Sequence, residues 1–248
     1  MFSQEPHCIY RKNQLAEVIC QLRFPEILSI ETELPAQFQE AIRDVFPLYN
    51  CLKEGLPGKQ TNSYQFATSD NAWRVVLTSK TVALTCRRYH TWEDFARMLD
   101  KPLAAFIGIY KPAFFERIGL RYLNFISKRA LELEHLPFRS LISPMYLGLL
   151  SDEDVSERTT VRSTVDADIG IRGGCRCKLH AGPGNVKVNI ANMKPDPEVK
   201  FILDLDLYMP GKIAVNLSAG ALQTLHSQSF GIFREAITDT LHDAMEPQ

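Results

Sequence analysis

Between Phe114 and Ser127 the chain reads FFERIGLRYLNFIS, and few folds can accommodate such a run. Strand alternation puts Ile118, Leu120 and Tyr122 on one face and Arg117, Gly119, Arg121, Leu123 and Phe125 on the other. The first face is apolar and requires a core. The second sets two guanidinium groups among apolar neighbours, where a charge needs a carboxylate partner or a bound anion. A sheet with one buried face and one charged face satisfies both demands.

Alternation of the same kind recurs along the chain. Ala16 to Phe24 predicts a first strand, with Val18, Cys20, Leu22 and Phe24 opposed to Glu17, Gln21 and Arg23. Phe38, Ile42, Val45 and Phe46 have helical spacing between Pro35 and Pro47. Residues 48–61 hold Gly55, Pro57 and Gly58 and read as loop. Ser63–Thr68, Trp73–Thr78 and Val82–Arg88 then form a meander. A four-residue loop at 78–81 pairs Leu77 with Val82 and Trp73 with Cys86, which keeps both apolar rows on one face. Thr91 to Asp94 resembles a capping box, opening a helix through Phe95, Leu99, Leu103 and Phe106 that Pro102 should kink or split.

In the second part of the chain, residues 128–156 read as a connection with one short helix. Thr160–Ile171 and Cys175–His180 form a hairpin. A three-residue loop, Arg172-Gly173-Gly174, sets Ile169 opposite Cys177, Asp168 opposite Lys178 and Asp166 opposite His180. Gly182-Pro183-Gly184 marks a turn before a strand at Val186–Ile190. Lys200–Tyr208 alternates Phe201, Leu203, Leu205 and Leu207 against Asp204, Asp206 and Tyr208, and after Pro210-Gly211 a short Ile213–Asn216 run leads into the last helix. Leu222, Leu225, Phe230, Phe233, Ile237 and Leu241 give one long helical stripe. The expected fold is α+β: a largely antiparallel sheet of hairpins with a long C-terminal helix packed on it. It is read as a single domain of two similar halves, 1–127 and 128–248.

Composition narrows the class. The chain has 248 residues, 45% of them hydrophobic and 23% charged, as in soluble globular proteins. Its six cysteines are scattered and no signal peptide is read, so the expectation is a cytoplasmic protein with reduced thiols. No apolar run approaches the roughly 20 residues of a membrane span. Net charge is −1, yet residues 71–130 hold 11 Lys or Arg against 4 Asp or Glu. Such asymmetry marks an anion-binding face, or basic and acidic segments that neutralise each other in the fold.

Signatures of catalysis are missing: there is no P-loop, no dinucleotide fingerprint and no nucleophile elbow. No catalytic residue and no cofactor is therefore assigned. Cys175-x-Cys177-x-x-His180 has metal-like spacing, but alternation sends the sulfurs and the imidazole to opposite faces, so no metal is expected. The charged strand faces carry the candidate ligand or partner site: Arg23, Arg117, Arg121, Asp204 and Asp206. The structural alternatives are a solvated sheet face, mutually satisfied ion pairs, or residues 128–160 folded across that face. A second candidate is an anion site at Arg87, Arg88 and His90, beside Trp92 and a helix N-terminus; its alternative is a solvated loop. The leading expectation is a non-catalytic binding protein with a protein partner, a nucleic acid or nucleotide being the other partner class. The competing one is a metal-dependent phosphohydrolase or nucleotide-binding enzyme built on the charged faces. Oligomeric state is not legible.

Tyr10-x-Lys12-Asn13-x-Leu15-x-Glu17-Val18, Leu22-Arg23-Phe24, Arg117 to Asn124, Leu203 to Asp206 and the Phe-rich final helix together show a likeness. The chain resembles a sporadically distributed prokaryotic family of about this length, known by a model number and without an assigned activity. That resemblance implies an accessory role in a mobile-element or defence-type locus, and it supplies no catalytic residues.

Overall fold

The first strand, β1 (Leu15–Arg23), buries Val18, Cys20 and Leu22 and leaves Arg23 exposed, as its alternation requires. The computed structural model describes residues 7–56, 60–185 and 197–248. After Pro25 come two short helices, α1 (Leu28–Thr32) and α2 (Ala36–Ile42). An antiparallel meander follows: β2 (Leu48–Glu54), β3 (Thr61–Ala67), β4 (Trp73–Leu77) and β5 (Thr81–Cys86). Leu77 pairs with Val82 and Trp73 with Cys86, the register set by the loop length. Inside that loop the Thr78 N–H donates to the Thr81 carbonyl at 2.9 Å. β5 also pairs with β1, Cys86 opposite Val18 and Val82 opposite Leu22, so three strands present one apolar face.

β2 corrects the reading of residues 48–61 as loop. Every residue from Leu48 to Lys53 is exposed. A strand that buries neither face leaves no alternation to read.

Two helices cover the apolar face in this part of the chain. α2 sets Phe38 against Phe66 of β3, ring centroids 5.4 Å apart. α3 (Trp92–Tyr110) begins at the predicted cap, where the Thr91 hydroxyl accepts from the Asp94 N–H at 3.1 Å. Pro102 lies inside this helix without splitting it. The proline forfeits one backbone hydrogen bond, but Trp92, Phe95 and Leu99 before it and Phe106 after it are all buried. Packing of Phe106 on Phe24 at 4.6 Å holds the second half in place.

β6 (Phe115–Ile126) is the predicted strand, burying Ile118, Leu120, Tyr122 and Ile126. Short 3-10 turns at Phe138–Ser140 and Gly148–Ser151 flank α4 (Pro144–Leu147). The remaining elements are β7 (Val165–Gly170), β8 (Arg176–Asn185), β9 (Val199–Ile213), α5 (Ser218–Ala236) and α6 (Asp239–Ala244). The β7–β8 register is Ile169 with Cys177, Asp168 with Lys178 and Asp166 with His180, closed by the Ile171 N–H donating to the Cys175 carbonyl at 2.8 Å.

Three expectations are corrected. Gly182-Pro183-Gly184 is not a turn but the last part of β8; the expected strand at 186–190 lies outside the described residues. Gly182 serves close approach instead of chain reversal, since a Cβ there would sit 2.5 Å from the Ser163 carbonyl oxygen and 3.1 Å from Thr164 Cα. β9 runs on through Pro210 and Gly211 to Ile213. The final helix is two helices: Ile237 leaves the first to bridge Ile142, and the Thr238 hydroxyl caps the second by accepting from the Leu241 N–H.

Together the described strands form a nine-stranded, largely antiparallel sheet in the order β2-β3-β4-β5-β1-β6-β9-β8-β7, and the C-terminal helix packs on it. The fold is α+β, as expected. Two compact units share the chain. One comprises 1–16, 122–207 and 226–248; the other comprises 17–121 and 208–225. β1, β6, β9 and α5 each contribute to both, so the units are not consecutive stretches of sequence.

One core position carries a testable cost. Ser63 on β3 is fully buried and its hydroxyl has no hydrogen-bond partner among the described residues. Ser63→Ala removes that desolvated group and should stabilise the protein by about 1 kcal/mol, raising the melting temperature by roughly 2–4 °C. A lower melting temperature would show that the hydroxyl is satisfied in solution.

Candidate functional site

In the unit built on residues 17–121 and 208–225, α2 and α3 cover the face bearing Leu22, Val75, Val82 and Leu84. The opposite face faces outward. Ladder pairing lays it out in rows: Arg74, Thr85 and Ile19; Val76, Ala83 and Gln21; Thr81 and Arg23. β6 adds Arg117 and Arg121 on the side away from Ile118 and Leu120. Arg23 is exposed, and Ile19, Gln21, Arg74, Val76, Thr85, Arg117 and Arg121 are half-buried. This face thus carries Arg23, Arg74, Arg117 and Arg121. On the same face Glu17 engages Arg87 at 3.2 Å.

Arg117 has a built seat. Its side chain folds back over Gly119, where a Cβ would collide with the guanidinium, and the guanidinium carbon lies 4.5 Å from the centre of the Tyr208 ring. A cation over an aromatic face is held there electrostatically. Lys212 repeats the motif over Phe114 at 4.6 Å. Arg23 donates from Nε to the Gln21 side-chain oxygen at 3.2 Å. Arg74 escaped the sequence reading, although its place opposite Trp73, Val75 and Leu77 in the β4 alternation could have revealed it. Gly119 and Tyr208, as the seat of Arg117, had no signal in the sequence alone.

Around the second candidate, Arg87 pairs with Glu17 and Arg88 with Asp70, both at 3.2 Å. His90 is exposed. Trp92 is buried and donates its indole N–H to the Gln223 side-chain oxygen at 2.7 Å. Glu93 and Asp94 already occupy the first turn of α3. Both arginines are thus engaged by carboxylates, and the tryptophan presents no open ring.

The other unit carries Asp204 and Asp206. They are half-buried on β9, opposite Phe201, Leu203, Leu205 and Leu207. None of Arg117, Arg121, Asp204 and Asp206 is without an interacting group. Beside them on the β7–β8 hairpin, Arg176 bonds Asp168 at 3.0 Å and His180 bonds Asp166 at 2.7 Å. The connection after β6 makes its ring contact on the apolar side. Phe138 packs at 5.6 Å on Phe201, which lies on the apolar side, and Lys128 sits over the Phe138 ring while pairing with Glu157.

Cys175 and Cys177 are buried on the apolar side, away from His180. Burial pushes the Cys177 thiol up to about 12, with Asp206 and Asp204 adding to it, and burial raises Cys175 too. Thiols so disfavoured as thiolates are poor nucleophiles and poor ligands. Among the described residues no three His, Cys, Asp or Glu side chains gather in a way that could hold a metal ion.

A polar group on the buried face escaped the sequence reading. His226 of α5 is 7% exposed and hydrogen-bonds the Tyr122 hydroxyl at 2.8 Å. Burial, and then the nearby His7, lower its pKa to about 4, so it is neutral at physiological pH.

No protein family and no curated protein matches the sequence. No described helix is long and apolar enough to cross a membrane.

Proposed function

We propose that the protein is a non-catalytic binding protein that takes an acidic protein partner on the outward sheet face carrying Arg23, Arg74, Arg117 and Arg121. The observation that supports this is the clustering on that face: strands carry Arg23, exposed, and Arg74, Arg117 and Arg121, half-buried, with Arg117 seated on Tyr208. Strands hold these groups at fixed spacing, so little order has to be imposed on binding. Complementary charge then sets partner choice and association rate more than total affinity. Asp204 and Asp206 are proposed as partner-binding charges of the unit that carries them. An accessory role beside other proteins of its locus is the setting proposed for this activity.

The test uses a fluorescent polyglutamate peptide as a defined acidic probe, with a single-stranded oligonucleotide of equal charge beside it. Arg23→Glu with Arg74→Glu should weaken peptide binding by at least about tenfold with the melting temperature unchanged, since exposed and half-exposed substitutions cost little stability. Gly119→Ala should act in the same direction by pushing Arg117 off Tyr208. Tighter binding of the oligonucleotide would reassign the face to nucleic acid. Metal-dependent nucleotide turnover abolished by Asp204→Asn would overturn the non-catalytic reading.

A further inference from the structure

We infer that β2 is a docking edge for a second copy of this chain, the two strands pairing antiparallel about a two-fold axis at Asn50. β2 hydrogen-bonds β3 along its whole length and forms one edge of the sheet among the described residues. Its other edge offers backbone N–H and C=O groups to a further strand. Leu48, Tyr49 and Leu52 are 43%, 44% and 43% exposed. Natural sheets guard such edges with charges, proline or bulges. The opposite edge of this sheet is guarded in that way, since β7 presents exposed Asp166 and Asp168. From Leu48 to Leu52, β2 has no charge and no proline, and its one-to-one register with β3 has no bulge.

Self-complementarity selects the occupant. Leu48, Asn50 and Leu52 lie opposite Ala67, Gln65 and Ser63, whereas Tyr49 and Cys51 lie opposite Phe66 and Tyr64. A two-fold axis at Asn50 keeps these faces in common. It sets Leu48 against Leu52 of the second copy, Tyr49 against its Cys51, and Asn50 against its Asn50. Each apolar group meets an apolar one, and the central amides meet each other. Lys53 falls opposite Pro47, so no like charges face across the ladder. With the axis at Cys51, by contrast, Leu52 would face Asn50 and Tyr49 would face Lys53. An edge of this length buries less than the roughly 1,200 Å² of a standard interface, so the association is weak and depends on concentration.

Sedimentation equilibrium of the full chain from micromolar to millimolar concentration tests the inference, which is independent of the arginine face. The expected result is a monomer–dimer equilibrium whose dissociation constant Leu52→Lys raises by at least about tenfold, with an unchanged melting temperature because the residue is exposed. In a Cys8→Ser, Cys51→Ser background, Asn50→Cys should form a disulfide-linked dimer on mild oxidation. Directly opposed Cα atoms lie about 4.5–5.5 Å apart, within disulfide range. Lys53→Cys in that background should not cross-link. A monomer throughout the range overturns the inference. So does a dimer that Leu52→Lys leaves intact and Asn50→Cys fails to cross-link.

Discussion

Lowering the pH from neutral towards 4 should remove about 3 kcal/mol of stability through His226 alone. Its pKa falls from an ordinary 6.5 to about 4 in the fold. Between those values the unfolded chain binds a proton that the native protein refuses, so stability rises with pH across this window. The stabilisation is fully present above 6.5, declines as pH falls and levels off below about 4. The physical cause is burial, with His7 opposing a second positive charge nearby. Urea unfolding at neutral pH and at pH 4.5 measures the loss, and His226→Gln should flatten it. Asp166, held below its usual range by His180, and Glu246, held down by Lys12, lose their contributions only as pH falls below their ordinary values of 3.8 and 4.5. A wild-type curve as flat as that of the variant would mean that His226 opens to solvent.

Gly182→Ala should destabilise the protein by about 3 kcal/mol, near the upper end for overpacking. The obstacle is backbone: the Ser163 carbonyl lies 2.5 Å from the new Cβ, and Thr164 crowds it as well. A backbone segment cannot swing aside as the tip of a long side chain can. Gly108→Ala is the reference, because a Cβ there meets nothing within 4 Å and the site is helical. That substitution should stabilise by about 0.5–1 kcal/mol. Equal melting temperatures for the two variants would show that residues 163–164 yield to the methyl group.

The hairpin registers were legible in the sequence because side-chain parity and loop length leave one solution. Leu77 had to meet Val82, and Ile169 had to meet Cys177, for the apolar rows to share a face. The two faces of β1, β6 and β9 were legible for the same reason, and so were Arg23, Arg117 and Arg121 as charges on strands. Burial on one side imprints a period of two.

Where a residue answers to a distant neighbour, that imprint fails. β2 buries neither face, so nothing in Leu48 to Lys53 distinguishes it from loop. Gly182 resembles a turn residue, yet its missing Cβ makes room for the backbone of residues 163–164. Gly119 likewise makes room for a guanidinium seated on Tyr208, 91 positions after Arg117. His226 interrupts an apolar stripe and becomes intelligible only with Tyr122 against it. Local pattern determined the strands, their faces and their turns. Contacts between residues far apart in the chain decided which strands became edges, where glycine was indispensable and which polar groups were buried, because those depend on the atoms a side chain meets and not on its neighbours in sequence.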